Sequence, residues 1–115
     1  MKRIYFAFPY SSSPLERTAE VVALVRGLLK VRQDFLPFVP HVMFDSLLGH
    51  PEGYEHTYVL EWEFEIIGLI CDYICFPPVP DGVPVSVGCL WERHFALWMG
   101  VPVLEWDYLL EGGEI

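Results

Sequence analysis

The chain has 115 residues, 53% of them hydrophobic and 16% aromatic, and carries a formal net charge of −9. This length predicts a single domain over residues 1–115, and its apolar share exceeds what a small monomer can cover, so we expect a homodimer or a higher homo-oligomer. So acidic a chain does not supply the clustered Lys and Arg that a phosphate backbone requires, which excludes a nucleic-acid polymer as a partner but allows a single nucleotide.

The first half of the chain predicts a strand, a helix and a second strand. The apolar residues 4–8, stopped by Pro9, are typical of a strand buried on both faces of a parallel sheet. The run Ser13-Pro14-Leu15-Glu16 combines an N-cap serine, a proline at the first helical position and a glutamate at the third, which predicts a helix that extends to about Val31. Residues 35–39 are predicted to form a second strand, and the proline within it favours the sheet edge.

The second half continues the alternation of helices and strands. Residues 40–56 have no sustained apolar period and predict a long loop. Residues 57–70 have the apolar spacing of a helix, and a strand is expected at residues 73–76. After a proline-rich loop, the predicted elements are a helix at about 89–99, a strand at 101–104 and a short helix at 106–110.

This order predicts an α/β fold with a doubly wound, mainly parallel sheet of four to five strands and helices on both faces, of the flavodoxin or Rossmann type. Ligands of such sheets bind outside the carboxyl ends of the strands. Residues 9–13, the chain from His41 onward and residues 86–92 open on that edge and are predicted to share a pocket. Asp72 begins its strand on the opposite edge and is predicted to be structural.

The cysteines and the apolar runs indicate a cytoplasmic protein without a membrane contact. The three cysteines, Cys71, Cys75 and Cys89, are in or beside apolar segments, which predicts reduced core thiols. The apolar run after Lys2 and Arg3 is too short for a signal-peptide core, and none approaches the length of a bilayer span.

Glu92 is the residue most strongly predicted to do chemistry. It follows the turn Ser86-Val87-Gly88 on an otherwise apolar helix start. Backbone N–H groups at a helix start favour anions, so Glu92 is predicted to be an ionised carboxylate that can attack an electrophile. A solvated helix glutamate is the alternative, and Ser86 with Gly88 either caps the helix or also holds an anion.

Short motifs follow one another along nearly the whole chain: Ile4-Tyr5-Phe6-Ala7-Phe8-Pro9-Tyr10-Ser11, Pro40-His41, Cys71-Asp72, Ser86-x-Gly88-x-x-x-Glu92 and Ala96-x-x-x-Gly100-Val101-Pro102-Val103. In this order they resemble the nucleoside 2-deoxyribosyltransferase-like superfamily. That group includes deoxyribosyltransferases and 2′-deoxynucleoside 5′-phosphate N-hydrolases.

The resemblance implies cleavage of an N-glycosidic bond in a nucleoside or a nucleoside 5′-monophosphate. Glu92 matches the nucleophile of the family, which attacks the anomeric carbon before water or a second base resolves the sugar ester. Ser86 stands where the transferases carry an acid and the phosphate hydrolases carry a serine that contacts the phosphate, which favours a 5′-phosphorylated substrate. The resemblance implies no metal and no other cofactor.

The family also places an acid on the second helix, where it orients the sugar or assists proton transfer to the leaving base. Counting back from Asp72 puts this position at Phe64, so the flanking Glu63 and Glu65 both stay candidates. Phe8 stands where the family commonly has glycine, and its ring is expected to reshape or block part of the nucleotide site.

Further candidates for substrate binding lie in or beside the loops at the same edge. Their hydroxyl, aromatic and cationic groups suit a phosphate, a sugar or a base, while core packing, a polar turn or a solvated surface is the alternative for each. These candidates are Tyr5, Pro9, Tyr10, Ser11, Ser12, Arg17 and His41.

Two other functions stay open at this point. The chain could be a non-catalytic nucleotide-binding module, which Phe8 and the unassigned second acid support. It could also be a structural or interaction protein whose aromatic, acidic surface serves assembly.

Overall fold

The computed structural model describes residues 1–10, 12–48 and 55–115, with the backbone alone for residues 55–59. Strands and helices alternate within them, so the chain has an α/β fold. The strands are β1 (Lys2–Phe6), β2 (Phe35–Phe38) and β3 (Tyr73–Cys75); the helices are α1 (Pro14–Val31), α2 (Pro40–Leu47), α3 (Glu55–Glu65), which continues as a π-helical segment at Ile66–Ile70, α4 (Val87–Met99) and α5 (Trp106–Leu110).

The strands form one parallel sheet in the order β2-β1-β3. β2 lies at an edge of this sheet, as its proline predicts, because Pro37 has no N–H to donate to a further strand. Beyond β3, a single parallel bridge joins Ile74 to Val103. The predicted strand at residues 101–104 is reduced to this bridge, since Pro102 lacks an N–H and α5 begins soon after it. The expected four to five strands are therefore not formed in the described part of the chain.

Helices cover both faces of the sheet, so the fold is doubly wound. Side chains alternate between the faces along a strand. Ile4 and Phe6 of β1 join the core cluster that α1 and α5 cover. Tyr5 and Ala7 point the other way, into the cluster that α4 and the π-helical segment cover. All the central β1 residues from Ile4 onward are buried, which confirms a strand enclosed on both faces.

Two local predictions are wrong. Residues 40–47 form α2 rather than a loop, and this helix buries Pro40, His41 and Phe44 on one side. The sequence did not indicate it because eight residues are too few to show a sustained helical period of apolar positions. α1 begins at Pro14 as predicted, yet Ser13 takes a left-handed backbone conformation with φ of 83° and its hydroxyl caps nothing, so the predicted capping box does not form.

The opposite edge of the sheet is structural, as predicted. The Asp72 carboxylate accepts a hydrogen bond of 2.8 Å from the Arg3 backbone N–H, which ties the starts of β3 and β1 together. The thiols of Cys71, Cys75 and Cys89 are free. No helix in the described residues is both long and apolar enough to cross a membrane.

Candidate active site

A pair of buried carboxyl groups lies between the sheet and the layer formed by α3 and α4. Glu92 of α4 is 4% exposed and Glu63 of α3 is 9% exposed, while the Tyr5 side chain beneath them is fully buried. Glu92 shares a helix face with the buried Ala96, one turn further along, so it is directed toward the sheet. The three groups interact, because both carboxyls raise the pKa of Tyr5.

Aromatic stacking holds the two helices of this site together. The rings of Phe64 and Phe95 stack with their centroids 4.6 Å apart. Phe64 directly follows Glu63, and Phe95 lies one turn after Glu92. The contact that joins α3 to α4 therefore also fixes the approach of the two carboxyl groups.

The environment of Glu92 makes it a weaker acid than the sequence predicts. Burial raises its pKa well above the usual value, and the charge of Glu63 raises it further; the nearby Tyr5 hydroxyl acts in the opposite direction. The helix start, which the sequence predicts to favour the ionised form, has little influence because Glu92 lies beyond the first turn of α4. Two close carboxyls resist double ionisation, because the charge of one disfavours the charge of the other.

Two polar atoms at the centre of the site lack hydrogen-bond partners among the described residues. The Tyr5 hydroxyl and Glu92 Oε2 are buried and have no hydrogen-bond partner among the described residues. Burial and the neighbouring carboxyls raise the pKa of Tyr5, so its hydroxyl stays protonated and can donate. Unsatisfied buried groups are uncommon in folded proteins and mark places where a ligand can complete the hydrogen bonding.

The start of α4 forms a second part of the site. Ser86 is the N-cap, as its Oγ accepts a hydrogen bond of 3.1 Å from the Cys89 N–H. The N–H groups of Val87 and Gly88, in the first turn, have no partner within the helix. Both residues line a cleft of about 170 Å³ together with Pro9 and Ser12. Such a cleft is suited to an anion.

A larger cleft of about 270 Å³ adjoins the first one. It opens between the ends of β1 and β3, where the strand order of the sheet reverses and where doubly wound proteins bind their ligands. Neither this cleft nor the smaller one includes Glu92 in its described lining. The larger cleft is lined by Ala7, Pro9, Phe76, Pro77, Val79, Val83, Pro84, Val85, Ser86, Cys89, Leu90 and Arg93.

His41 and Tyr10 lie beside the loop that follows β1. The buried His41 donates a hydrogen bond of 3.0 Å from Nε2 to the Pro9 carbonyl oxygen, and burial lowers its pKa. Tyr10 donates one of 2.8 Å from its hydroxyl to Asp45 Oδ1. The two rings contact each other, with centroids 5.1 Å apart. They brace the Pro9 loop through these bonds.

Several predicted residues are not part of these groupings. Glu65 is exposed on α3, away from the side that carries Glu63. Arg17 is buried and paired with Glu16 and Glu20, so its charge is already neutralised. The Phe8 ring packs into the core cluster beneath α1, not on the Tyr5 side, so it does not block the face that carries the carboxyl pair. Ser11 lies outside the described residues.

Sequence reasoning missed Arg93 and Phe76. The Arg93 guanidinium lies 4.2 Å from the centroid of the Phe76 ring, beside the larger cleft. Ser86, Cys89 and Arg93 follow one another at helical spacing, which could have indicated one common flank of α4. Within the described residues, no group of three or more His, Cys, Asp or Glu side chains is arranged to hold a metal ion.

The chain is a doubly wound α/β protein with clefts at the carboxyl ends of its strands, where proteins of this architecture bind ligands. Its structure is similar to that of the 2-deoxyribosyltransferase from the psychrotolerant bacterium Bacillus psychrosaccharolyticus, with a TM-score of 0.57 and 22% sequence identity over 90% of this chain and 70% of that one. This likeness is one of fold. No protein-family model matches the chain, and no curated protein matches it significantly.

Proposed function

We propose that the protein cleaves the N-glycosidic bond of a nucleoside or a nucleoside 5′-monophosphate, with water or a second base as the acceptor. The buried pair of Glu63 and Glu92 beside Tyr5 carries this proposal. A carboxylate nucleophile with a carboxylic acid next to it is the chemical equipment that glycosidic cleavage needs. The fold shared with a 2-deoxyribosyltransferase supports the assignment.

The two carboxyls divide the chemistry between them. The Glu92 carboxylate attacks the anomeric carbon, and the electron pair of the breaking C–N bond goes to the base, whose nitrogen takes the proton of Glu63. The Glu63 carboxylate then removes a proton from water, or from an acceptor base, as it attacks the same carbon. Glu92 leaves as a carboxylate, Glu63 is protonated again, and both return to their starting state.

Tyr5 partly offsets the rise in the pKa of Glu92 that burial and Glu63 cause. Its hydroxyl lies near Glu92 and lowers the pKa of that carboxyl, opposing burial. The reactive state of the proposed mechanism has Glu92 as the anion and Glu63 as the acid, and Tyr5 acts in favour of that state. Tyr5 is therefore a positioning residue in this scheme.

The start of α4 holds the phosphate in this proposal. Val87 and Gly88, whose N–H groups lie in the first turn of the helix, line the smaller cleft together with Ser12 and Ser86. One turn of helix, a rise of about 6 Å, separates Gly88 from Glu92. A pentose 5′-phosphate has to bridge a gap of that order between its phosphate and its anomeric carbon.

Release of free base tests the proposal. The protein is incubated with the common nucleosides and nucleoside 5′-monophosphates, in the ribo and 2′-deoxy series, with and without an acceptor base, and products are separated by chromatography. We expect release by the native protein and its loss in Glu92→Gln and Glu63→Gln. Glu65→Gln is the matched control, since Glu65 is an exposed glutamate on the same helix. No release from any substrate, or equal release by Glu92→Gln, contradicts the proposal.

A nucleotide-binding module without turnover is the second candidate. The observation in its favour is that neither described cleft includes Glu92 in its lining. Thermal shifts with the same nucleotides separate the two functions, because a module binds them without releasing base.

We further propose that the protein is a cytoplasmic homodimer that pairs through α4. Trp91, Leu97 and Trp98 form an exposed apolar stripe on the side of α4 away from the sheet. The stripe contains no acidic side chain in a chain of net charge −9, so a second copy meets it without charge repulsion. Two copies of one helix related by a two-fold axis bury such a stripe against itself.

A further inference from the structure

The two clefts beside Ser86 adjoin each other and are together called the trough. They share Pro9, Pro84, Val85 and Ser86 as lining residues. From this shared part, the smaller cleft leads to Gly88 and the larger one continues along α4 to Arg93. A ligand group held at the start of α4 therefore has open space on its far side.

The larger cleft runs along a different flank of α4 from the carboxyl pair. Consecutive residues lie about 100° apart around a helix, so Arg93 points well away from Glu92. Cys89 and Arg93, one turn apart, share the flank that lines the cleft. If the sugar of a monophosphate extends from Ser86 toward Glu92, this cleft stays unfilled.

The chemistry of the cleft suits an anion attached to an organic group. Its walls are mainly apolar, and Arg93 is the only charged residue in its described lining. The Phe76 ring lies against the guanidinium at 4.2 Å and leaves the N–H edges of Arg93 available for hydrogen bonds. No described carboxylate forms an ion pair with it. A guanidinium in this state attracts a phosphate strongly.

We propose that the substrate is a nucleoside 5′-diphosphate or an ester of one, with its second phosphate at Arg93 and any further group along the apolar walls. This deepens the proposed function and rests on it for the position of the first phosphate and the sugar. The trough then sets specificity on the 5′ side of the nucleotide, while the carboxyl pair acts on the glycosidic bond.

Binding to the Glu92→Gln variant tests this without turnover. The affinities of the four common 2′-deoxynucleoside 5′-monophosphates and the matching diphosphates are measured by calorimetry, without divalent cations, which would mask the second phosphate. We expect the diphosphate to bind about tenfold more tightly than its monophosphate, the gain of one charge-assisted contact.

Arg93→Gln in the same background should reduce the ratio of the two affinities to about one. Phe76→Leu keeps the cleft apolar but removes the ring under the guanidinium. The ratio of the diphosphate affinity to the monophosphate affinity should then lie between about ten and about one. Arg26→Gln is the control, because Arg26 is an exposed arginine of α1 outside the cleft and should leave the ratio unchanged.

The outcomes separate this inference from the proposed function. A diphosphate preference that depends on Arg93, in a protein that releases no base, supports the inference and contradicts the glycosidase. Base release with equal affinity for mono- and diphosphate, or a preference that Arg93→Gln does not change, overturns the inference and leaves the glycosidase standing. No binding of any nucleotide overturns both.

Discussion

Glu63 and Glu92 come from different helices and meet over Tyr5 on one face of the sheet, where the charge of Glu63 makes Glu92 harder to ionise. Burial contributes the largest part of the rise in the pKa of Glu92, and Glu63 the next largest. An isolated buried carboxyl would simply stay neutral. A pair that shares one proton instead presents an anion and an acid at the same time, as glycosidic cleavage requires.

The pair predicts a bell-shaped dependence of base release on pH. At low pH both carboxyls are protonated and the nucleophile is lost, whereas at high pH the shared proton is lost and with it the acid. In Glu63→Asp both limbs should persist at a reduced rate. In Glu63→Gln any residual release should lose its alkaline limb, and its acidic limb should move to lower pH because the charge that raises the pKa of Glu92 is gone. Rates over a pH series check this, and an unchanged profile in Glu63→Gln would contradict it.

The same pair predicts how stability depends on pH. The pKa of Glu92 is raised in the folded state, so its contribution to stability is complete below the pKa of the unfolded chain and is lost as the pH rises through the folded value. Glu92→Gln should therefore stabilise the protein at pH 8, by about 1 kcal/mol or more, since one unit of pKa corresponds to about 1.4 kcal/mol. The difference should vanish near pH 4.

Urea unfolding at several pH values measures this effect. Glu65→Gln is the control, since this exposed carboxyl should show no such pH-dependent gain. If Glu92→Gln destabilises the protein equally at all pH values, the carboxyl is packed as a neutral structural group and the shared proton is wrong.

The choice between Glu63 and Glu65 shows where sequence reasoning reaches its limit. Apolar residues surround this helix on several sides, so periodicity alone does not fix which glutamate is buried. Counting back from Asp72 also crosses the π-helical segment, where the Cys71 N–H bonds the Ile66 carbonyl five residues earlier. The wider turn of a π-helix shifts the phase, so a count across it does not fix which of the two glutamates faces the sheet.

Features fixed by local chemistry were easier to predict. The start of α1 at Pro14, the buried β1 and the end of α4 at Gly100 follow from proline, apolar runs and a glycine in the left-handed conformation. The neutralisation of Arg17 by Glu20, at i,i+3 spacing, was visible in the sequence and was overlooked. The Arg93 contact with Phe76 was not visible, because it joins residues on different elements.

Gly88 offers a test of the phosphate position that leaves the fold intact. A Cβ placed on it would meet only Ser86 Oγ, at 3.6 Å, which is an ordinary contact. Gly88→Ala should therefore fold normally, while its methyl group enters the smaller cleft and weakens binding of nucleoside monophosphates about tenfold or more. Calorimetry measures the affinity and a thermal melt the stability.

Gly27→Ala is the matched control for this substitution. Gly27 lies within α1, and a Cβ there would meet nothing within 4 Å. Alanine is the better helix former by about 1 kcal/mol, so this variant should melt at a higher temperature and bind nucleotides as the native protein does. Equal binding by the two variants would mean that no phosphate approaches Gly88.

The exposed stripe of α4 predicts how the proposed dimer can be dissociated. The Trp98 side chain is 81% exposed, so Trp98→Glu removes only an edge contact with the Phe95 ring but places two carboxylates against each other across a two-fold axis. The variant should sediment as a folded monomer at concentrations where the native protein is a dimer. Leu15→Glu, on the exposed side of α1, is the control and should stay dimeric. If the native protein sediments as a monomer, or if Trp98→Glu stays a dimer while Leu15→Glu dissociates, the α4 stripe is not the interface between copies.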